Sequence, residues 1–307
     1  MASNEKYTVI NSSKLSRNNK VACLTIDVEQ DYGELLIEPS YEGLKHIPEL
    51  VGFLNSKSVP LTGFIQGSLL ETHPHIIDEL AKLDIEFELH SYSHPGPDTI
   101  NPRLEIEKGK KVYRHFFNQD PLGYRSPLGI IRDDDLQTLA DNGFKFDSSV
   151  FPSIRPGVFN NLGKPVSPYR ENSTGLIELP IAVFSRTIRI PLALSYIKLF
   201  GKPYLYLLRT FALPRLIVFG FHLHDLLPLT SSVKLQLENK AFLYRQIYRK
   251  IYQRDTDGMA LLDKFIGILQ QRGYTFLKLS DVYHAISRGE TLAEANSRNG
   301  RLKNKRL

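Results

Sequence analysis

The feature that most constrains this chain is a regular alternation of short apolar runs with segments of helical periodicity. Short β-branched and apolar runs predict strands at 20–26, 59–67, 84–89, 123–125 and 275–279. Apolar residues at helical spacing predict helices at 43–57, 74–83, 103–117, 133–142 and 257–271, and Ser280 is predicted to cap a last short helix. Strands that alternate with helices of about 10–15 residues indicate parallel βαβ units. The pattern therefore predicts an α/β protein, and an open sheet and a closed barrel both fit it.

Polar side chains distinguish these two architectures, because they gather just after the predicted strands. They are Asp27, Glu29, His90, His94, Arg125, His222 and His224. Active groups contributed by the ends of several strands are typical of (β/α) barrels. We therefore predict a barrel with its functional site at the carboxyl ends of the strands.

Two short segments indicate a metal site. In HSYSH, the spacing of His90 and His94 would place both imidazoles on one face of a helical turn, within reach of a single ion. Asp27 and Glu29 share strand parity, and buried carboxylates are costly unless they meet a cation. Taken singly, a polar loop and a salt-bridged strand end also explain these segments. Together, two histidines and one carboxylate leave an open position on zinc for water, and the second carboxylate is then a candidate general base. Zn²⁺ suits this set, and Co²⁺, Ni²⁺ or Mn²⁺ fit the same ligands.

Four segments, in order along the chain, resemble motifs of the polysaccharide deacetylases (carbohydrate esterase family 4). They are LTIDVEQDYG, HSYSH, YRSPLG and FHLHD, and the connecting segments VPLTGFIQG, GFKFDSSVFP and GLIELP are also similar to that family. The resemblance runs from about residue 21 to 225. It implies a distorted (β/α) barrel and a metal-dependent hydrolase that removes an N-acyl group, acetyl or formyl, from an amino sugar.

The resemblance also implies roles for individual residues. Asp27 matches the catalytic base, Arg125 the arginine that holds it, and His224 the general acid. His90 and His94 match the metal-binding histidines, and Glu29 falls where many members have a metal-ligating aspartate. Substrate-binding positions are predicted at Tyr124, Pro127, Glu178 and His222. Two departures stand out: the chain has no tryptophan, although the family has one beside the acid histidine, and Asp225 replaces a proline. His222 therefore remains an alternative acid.

A stretch at 188–221 is rich in aliphatic and aromatic residues and has five basic residues but no acidic one. Its charges and prolines argue against a membrane-spanning helix. It predicts either an amphipathic surface in contact with lipid headgroups, or a helical insertion packed on the barrel with Lys198, Lys202 and Arg209 solvated. Lipid contact would suit a polyprenyl-phosphate-linked sugar at the cytoplasmic membrane face.

Composition completes the predicted domain organisation. We expect a polar segment at 1–19, one catalytic domain at 20–288 and a basic tail at 289–307, either solvated or in contact with a polyanion. The polar start without an apolar run and the single cysteine, Cys23, predict a cytoplasmic protein without internal disulfides. No nucleic-acid-binding motif accompanies the net charge of +6, so nucleic acid is not a predicted partner. The sequence makes no prediction of oligomeric state.

Two other functions fit the same residues. One keeps the site but acts on a small non-sugar amide, as allantoinase-like relatives do, and would not need the apolar stretch. The other is a non-catalytic glycan- or lipid-binding barrel, which would more often have lost a metal ligand or the base.

Overall fold

The computed structural model describes residues 5–11, 15, 19–95, 101–226, 235–238, 242–252 and 256–304. Its strands are β1 (Tyr7–Val9), β2 (Lys20–Val28), β3 (Leu61–Ile65), β4 (Ile85–Leu89), β5 (Gly123–Tyr124), β6 (Phe146–Asp147), β7 (Ile154–Arg155), β8 (Phe159–Asn160), β9 (Tyr169–Glu171), β10 (Ile177–Glu178), β11 (Leu216–His222) and β12 (Tyr274–Phe276). Its α-helices are α1 (Ile47–Lys57), α2 (Gly67–Thr72), α3 (His75–Leu80), α4 (Pro102–Phe117), α5 (Asp133–Asp141), α6 (Leu194–Phe200), α7 (Lys202–Thr210), α8 (Phe242–Tyr252), α9 (Gly258–Gln271), α10 (Leu279–Arg288) and α11 (Leu292–Asn304). Short 3₁₀ helices span Gly33–Leu35, Glu42–His46, Pro127–Gly129 and Leu223–Asp225.

The sheet confirms the predicted parallel arrangement. Its strand order is β1-β9-β10-β6-β5-β4-β3-β2-β11, with β12 also paired to β2. Along this order, each pair of neighbouring strands in the run β10-β6-β5-β4-β3-β2-β11 is parallel. Strand β9 pairs antiparallel with both β1 and β10. The carboxyl ends of the parallel strands therefore meet at one end of the sheet.

The barrel closes where the chain after β10 reaches β11. The amide of Ala182 donates a hydrogen bond to the carbonyl of Val218 at 2.9 Å, and the amide of Ile181 donates to Val150 at 2.9 Å. No continuous ladder of the described strands joins β10 to β11. The fold is thus the distorted (β/α) barrel that the sequence predicts.

Strand β2 shows how the barrel orients the site. Val21 and Cys23 belong to a buried cluster with Phe64 and Val218, whereas Leu24 packs in a second cluster that includes the helices. Because successive strand side chains point to opposite faces, residues with the parity of Cys23 point into the barrel. Asp27 shares that parity and therefore lies at the inner carboxyl end of β2.

The two ends of the chain contribute more structure than the sequence predicts, and the proposed domain boundaries stay predictions. Strand β1 lies in the segment predicted to be only polar, and Val9 pairs with Tyr169. Helix α11 occupies the predicted tail, and Leu292 and Ala295 are buried in the core. Leu292 therefore fixes the start of this segment to the barrel by apolar burial.

The predicted cap of the helix after β12 is also corrected. Ser280 lies inside α10, whose N-cap is Lys278. The carboxylate of Asp281 accepts a hydrogen bond from the Lys278 amide at 3.1 Å, while the Ser280 hydroxyl donates to Glu86. The cap moves because the helix starts two residues earlier than the apolar pattern indicates.

The stretch at 188–221 is part of the barrel rather than a separate addition. It contains α6, α7 and all of β11 except its last residue, His222. Lys198, predicted to be solvated, is only 2% exposed, and its ammonium donates to the carbonyl of Asp225 at 3.0 Å. Its burial follows from its position on α6, because Lys198 shares the buried face of that helix with Leu194. Among the residues that the structure describes, none of the helices has the length and apolar character of a membrane-spanning segment.

Candidate active site

Asp27 and Arg125 form a buried ion pair at the carboxyl end of the barrel. An Arg125 Nη donates to Asp27 Oδ1 at 2.7 Å and to Thr25 Oγ1 at 2.9 Å. Its other donors bind the carbonyl and hydroxyl of Ser148 at 2.9 and 3.0 Å, and its guanidinium lies 4.1 Å from the centre of the Phe64 ring. Arg125 is therefore fixed in place, and it holds one oxygen of Asp27 while the other oxygen remains available.

Glu29, His90 and His94 lie directly beside this pair. Glu29 Oε2 is 2.8 Å from His90 Nε2 and 2.7 Å from His94 Nε2, and one ligand atom from each residue lies within 4.8 Å of the others. Burial would raise the pKa of Glu29, but the charge of His94 and the hydrogen bonds of both histidines hold that pKa well below its usual range. All three are buried, and their donor set suits zinc or a similar divalent ion.

The orientation of His90 also fits a metal ligand. Its Nδ1 donates to the backbone carbonyl of Arg125 at 2.8 Å. In a neutral imidazole this leaves the lone pair on Nε2, the nitrogen that faces Glu29. A hydrogen bond of this kind to the outer nitrogen is the usual support of a metal-binding histidine.

The segment that carries the two histidines is a loop, not the predicted helical turn. Ser91 and His94 have φ angles of 61° and 53°, which lie in the left-handed region. Glu105 on α4 holds this loop by accepting hydrogen bonds from the Ser91 hydroxyl at 2.6 Å, the amides of Tyr92 and Ser93 at 3.0 and 2.7 Å, and the Ser93 hydroxyl at 2.8 Å. These four bonds offset the cost of the left-handed residues. Sequence patterns gave no indication of Glu105.

We expect Glu105→Ala to weaken metal binding about 10- to 100-fold, the usual effect of removing a group that orients a metal ligand. The helix should persist, because alanine is the best helix former. The matched control is Glu107→Ala on the same helix, whose carboxylate makes only a surface ion pair with Arg103. Competition with a chromogenic zinc chelator measures both affinities. Equal affinities in the two variants would contradict the assigned role of Glu105.

His222 and Asp225 form a second pair at the end of β11. Asp225 Oδ2 accepts from His222 Nδ1 at 2.9 Å and from the His222 amide at 3.1 Å. His222 Nε2 then faces Asp27 Oδ2 at 3.5 Å and Glu29 Oε1 at 3.7 Å. Burial would lower the pKa of His222, but the hydrogen bond and charge of Asp225, with Glu29 and Asp27, raise it to about 9. His222 is 30% exposed in its side chain, so it is accessible from the cavity as a protonated imidazole.

His224, the predicted general acid, occupies a different environment. Its Nδ1 accepts a hydrogen bond from the Tyr32 amide at 3.2 Å, and its ring packs between those of Tyr32 and Tyr252 at 4.7 and 5.7 Å. Burial, followed by the charge of His222, lowers the pKa of His224 to about 4. His224 therefore stacks behind His222 at 4.8 Å, and its low pKa favours the neutral form, which has no proton to donate as the predicted acid. Tyr32 and Tyr252 pack against His224 in this chain, which has no tryptophan.

Two of the predicted substrate-binding residues, Tyr124 and Pro127, lie elsewhere. Both are buried and line a separate recess of about 20 Å³ behind the histidine loop. Tyr124 points outward because it alternates with the inward Arg125 on the same strand end. Leu128 and Gly129, which follow Pro127, line the cavity that contains His90 and His94.

Glu178 is also buried away from that cavity, contrary to prediction. Its carboxyl group hydrogen-bonds to Asp147, and its Oε1 accepts from the Val150 amide at 3.0 Å. Burial and then the neighbouring Asp147 raise the pKa of Glu178 well above its usual range, and burial also raises the pKa of Asp147. These two carboxyl groups therefore share a proton in the folded protein.

This pair predicts a pH-dependent stability. A carboxyl pKa that is higher in the folded chain means that the folded state binds more protons, so the free energy of unfolding falls as the pH rises above about 4.3. Glu178→Gln keeps the shape and hydrogen bonds without the proton, and we expect its stability relative to wild type to increase from pH 5 to pH 8. Urea unfolding at several pH values measures this, with the exposed Glu49→Gln as control. Parallel curves for wild type and Glu178→Gln would contradict the shared proton.

Comparison with known proteins agrees with the resemblance seen in the motifs. Residues 14–146 match the family model described as polysaccharide deacetylase. A peptidoglycan deacetylase-like protein of Gibberella zeae is 28% identical over 93 residues, which cover 29% of this chain and only 28% of that protein. The match to this relative is thus confined to about a quarter of its length.

Solved structures share the fold. A candidate polysaccharide deacetylase from Mycobacterium smegmatis aligns with a TM-score of 0.59 at 18% identity, over 92% of this chain and 97% of that chain. A carbohydrate esterase family 4 pseudoenzyme from Bacillus anthracis aligns with a TM-score of 0.50 at 15% identity, over 87% of this chain and 66% of that chain. Since a pseudoenzyme shares the fold, activity must be argued from the site. Residues 14–146 are thus similar to the polysaccharide deacetylases, and the solved structures of that group share the fold of this chain.

Proposed function

We propose that this protein is a divalent-metal-dependent hydrolase that removes an acetyl or formyl group from the nitrogen of an amino sugar. The observation that carries the proposal is the placement of the Asp27 carboxylate and the His222 imidazole beside the buried group of Glu29, His90 and His94. A divalent ion held by these three residues would polarise the acyl carbonyl and a water molecule.

Asp27 is the proposed general base. Arg125 binds its Oδ1, so Oδ2 faces the cavity and is free to take a proton from the attacking water. The buried arginine also fixes the carboxylate, so no reorganisation is needed when the proton moves.

His222 is the proposed general acid, with His224 packed behind it. Asp225 fixes the His222 ring through Nδ1, so that Nε2 points toward Asp27 and the cavity. As the C–N bond breaks, Nε2 gives its proton to the leaving amine, and the acyl group leaves as acetate or formate. The net reaction converts an N-acyl amino sugar and water into an amino sugar and a carboxylic acid.

We further propose that the protein is cytoplasmic and binds the membrane face peripherally, where its sugar is carried on a lipid. Exposed aromatic residues support this: Phe200, Tyr206 and Phe211 are 41%, 65% and 55% exposed, with the basic Lys202 and Arg209 in the same stretch. Aromatic and basic residues in such a mixture suit the lipid headgroup region.

The proposed activity is tested by release of free amine, measured with fluorescamine, from N-acetyl and N-formyl amino sugars after loading with zinc, cobalt, nickel or manganese. Allantoin serves as the small-amide control, and its ring opening is followed by the acid that it releases, because the product has no primary amine. Amine release from a sugar supports the proposal. Hydrolysis of allantoin alone, or of no amide with any of the metals, would contradict it.

A further inference from the structure

A large apolar cavity adjoins the catalytic residues. Its volume is about 390 Å³, and Asp27 and His222 line it together with apolar side chains that make up most of the wall. Helix α6 contributes Tyr196 and Leu199, and helix α8 contributes residues such as Ile251. A cavity of this size is large enough for a small-molecule ligand. Sugar hydroxyls would find few partners there, because buried polar groups need hydrogen bonds. The lining therefore suits a hydrocarbon.

A smaller polar cavity of about 70 Å³ contains Glu29, His90 and His94. Asp27, Arg155 and His222 line both cavities. If the acyl-bearing end of a substrate lies in the polar cavity, the rest of the substrate would extend past Arg155 into the apolar cavity.

Arg155 places a cation at this junction. Its guanidinium lies 5.2 Å from the centre of the Tyr248 ring, and it forms no ion pair with a carboxylate of the described residues. The side chain is half-buried. Arginine binds phosphate oxygens in a bidentate manner, and such a bond is strong where water is partly excluded. An anion between the polar and apolar parts of the ligand would complement this charge.

The cavity also opens to the surface through apolar residues. Ile154, Leu162 and Phe200 line it although they are 50%, 46% and 41% exposed, so they lie where it meets solvent. A hydrocarbon longer than the cavity could leave past these side chains.

We propose that this cavity binds the hydrocarbon chain of an amphiphilic substrate and that Arg155 binds the phosphate ester that joins the chain to the amino sugar. The inference rests on the proposed function for the position of the sugar. It assigns a binding site for the hydrocarbon and a specificity-determining residue, Arg155, in addition to the proposed metal ligands and acid–base residues.

Farnesyl phosphate is the probe, and calorimetric titration of the full-length metal-loaded protein measures its binding without turnover. We expect Arg155→Gln to weaken farnesyl phosphate binding about 10- to 100-fold, the effect of losing a hydrogen bond to a charged group. Farnesol should bind wild type and Arg155→Gln equally. The control Arg186→Gln removes an exposed arginine outside the cavity and should bind farnesyl phosphate like wild type.

A second variant tests the cavity itself. Ser195 on α6 lines the cavity and is half-buried, so Ser195→Phe should fill it with little cost to the fold. Its expected result is loss of both farnesyl phosphate and farnesol binding, with metal content and melting temperature retained. Unchanged binding of both probes by Ser195→Phe would overturn the assignment of this cavity as the hydrocarbon-binding site.

Two further results would overturn the phosphate assignment. These are equal binding of farnesyl phosphate by wild type and Arg155→Gln, and binding of dodecanoate as tight as that of farnesyl phosphate. Failure of the proposed function has a separate signature: no amide hydrolysis, with Arg155-dependent farnesyl phosphate binding intact. Conversely, hydrolysis of a soluble N-acyl sugar without any binding of farnesyl phosphate would overturn this inference alone.

Discussion

Replacing Asp27 with asparagine is expected to lower kcat by about 10²- to 10⁴-fold, the usual contribution of a general base. Asparagine keeps an oxygen that can accept the hydrogen bond now made by Arg125 to Asp27 Oδ1 at 2.7 Å. It has no second carboxylate oxygen to take a proton from water. The loss should therefore appear in kcat, with metal content close to that of wild type.

The control for this experiment is stability, because Asp27 also neutralises a buried arginine. Breaking a buried ion pair by removal of one partner costs about 3–5 kcal/mol. Urea unfolding of Asp27→Asn must therefore show that the variant is folded at the assay temperature. A folded variant with wild-type kcat would contradict the assignment of Asp27 as the base.

The second large effect is expected at His222. His222→Gln should lower kcat by about 10²- to 10⁴-fold, because glutamine cannot give a proton to the leaving amine. The matched variant His224→Gln should lose less activity, since His224 is neutral and held by the Tyr32 amide rather than aimed at Asp27.

A substrate with a good leaving group separates these roles further. In an N-acyl derivative of an electron-poor aniline, the leaving nitrogen needs little protonation. We therefore expect this substrate to restore much of the rate that His222→Gln loses. It should not restore the rate that Asp27→Asn loses. If His224→Gln were the more damaged variant, and the activated substrate restored it, His224 would be the acid and the present assignment would be wrong.

The convergence of the candidate site residues could be predicted from the sequence because the sheet is parallel. Asp27 lies at the carboxyl end of β2, and Glu29, His90, His94 and Arg125 come after strand ends. The carboxyl ends of parallel strands meet at one end of the barrel. Strand parity also predicts that Asp27 points inward. These features depend on short segments of sequence, and the structure has them as expected.

The order of His222 and His224 could not be obtained in this way. The two residues are separated by one position and would share a face if β11 continued. Instead β11 ends at His222, and a 3₁₀ turn at Leu223–Asp225 follows. Asp225 can therefore reach back to His222. The turn is short and has no glycine or proline that would mark it.

Other features depend on contacts between distant parts of the chain. Glu105 meets the histidine loop from α4, and Ser148 meets Arg125 from the segment after β6. The wall of the apolar cavity needs α8, a helix that was not among those predicted. The positions of Tyr124 and Glu178 away from the cavity have another cause, because motif similarity does not specify which face of a strand or turn a side chain occupies.

The central claim is that Glu29, His90 and His94 bind a divalent ion beside Asp27 and His222, and metal content tests it most directly. Elemental analysis should find about one divalent ion per chain in the wild type and none in His90→Ala/His94→Ala. The matched control, His73→Ala/His75→Ala, removes two histidines that lie outside the site and contact each other, and it should retain the ion. A wild-type protein that stays empty after incubation with zinc, cobalt or nickel, or a double variant that keeps the ion, would contradict the account.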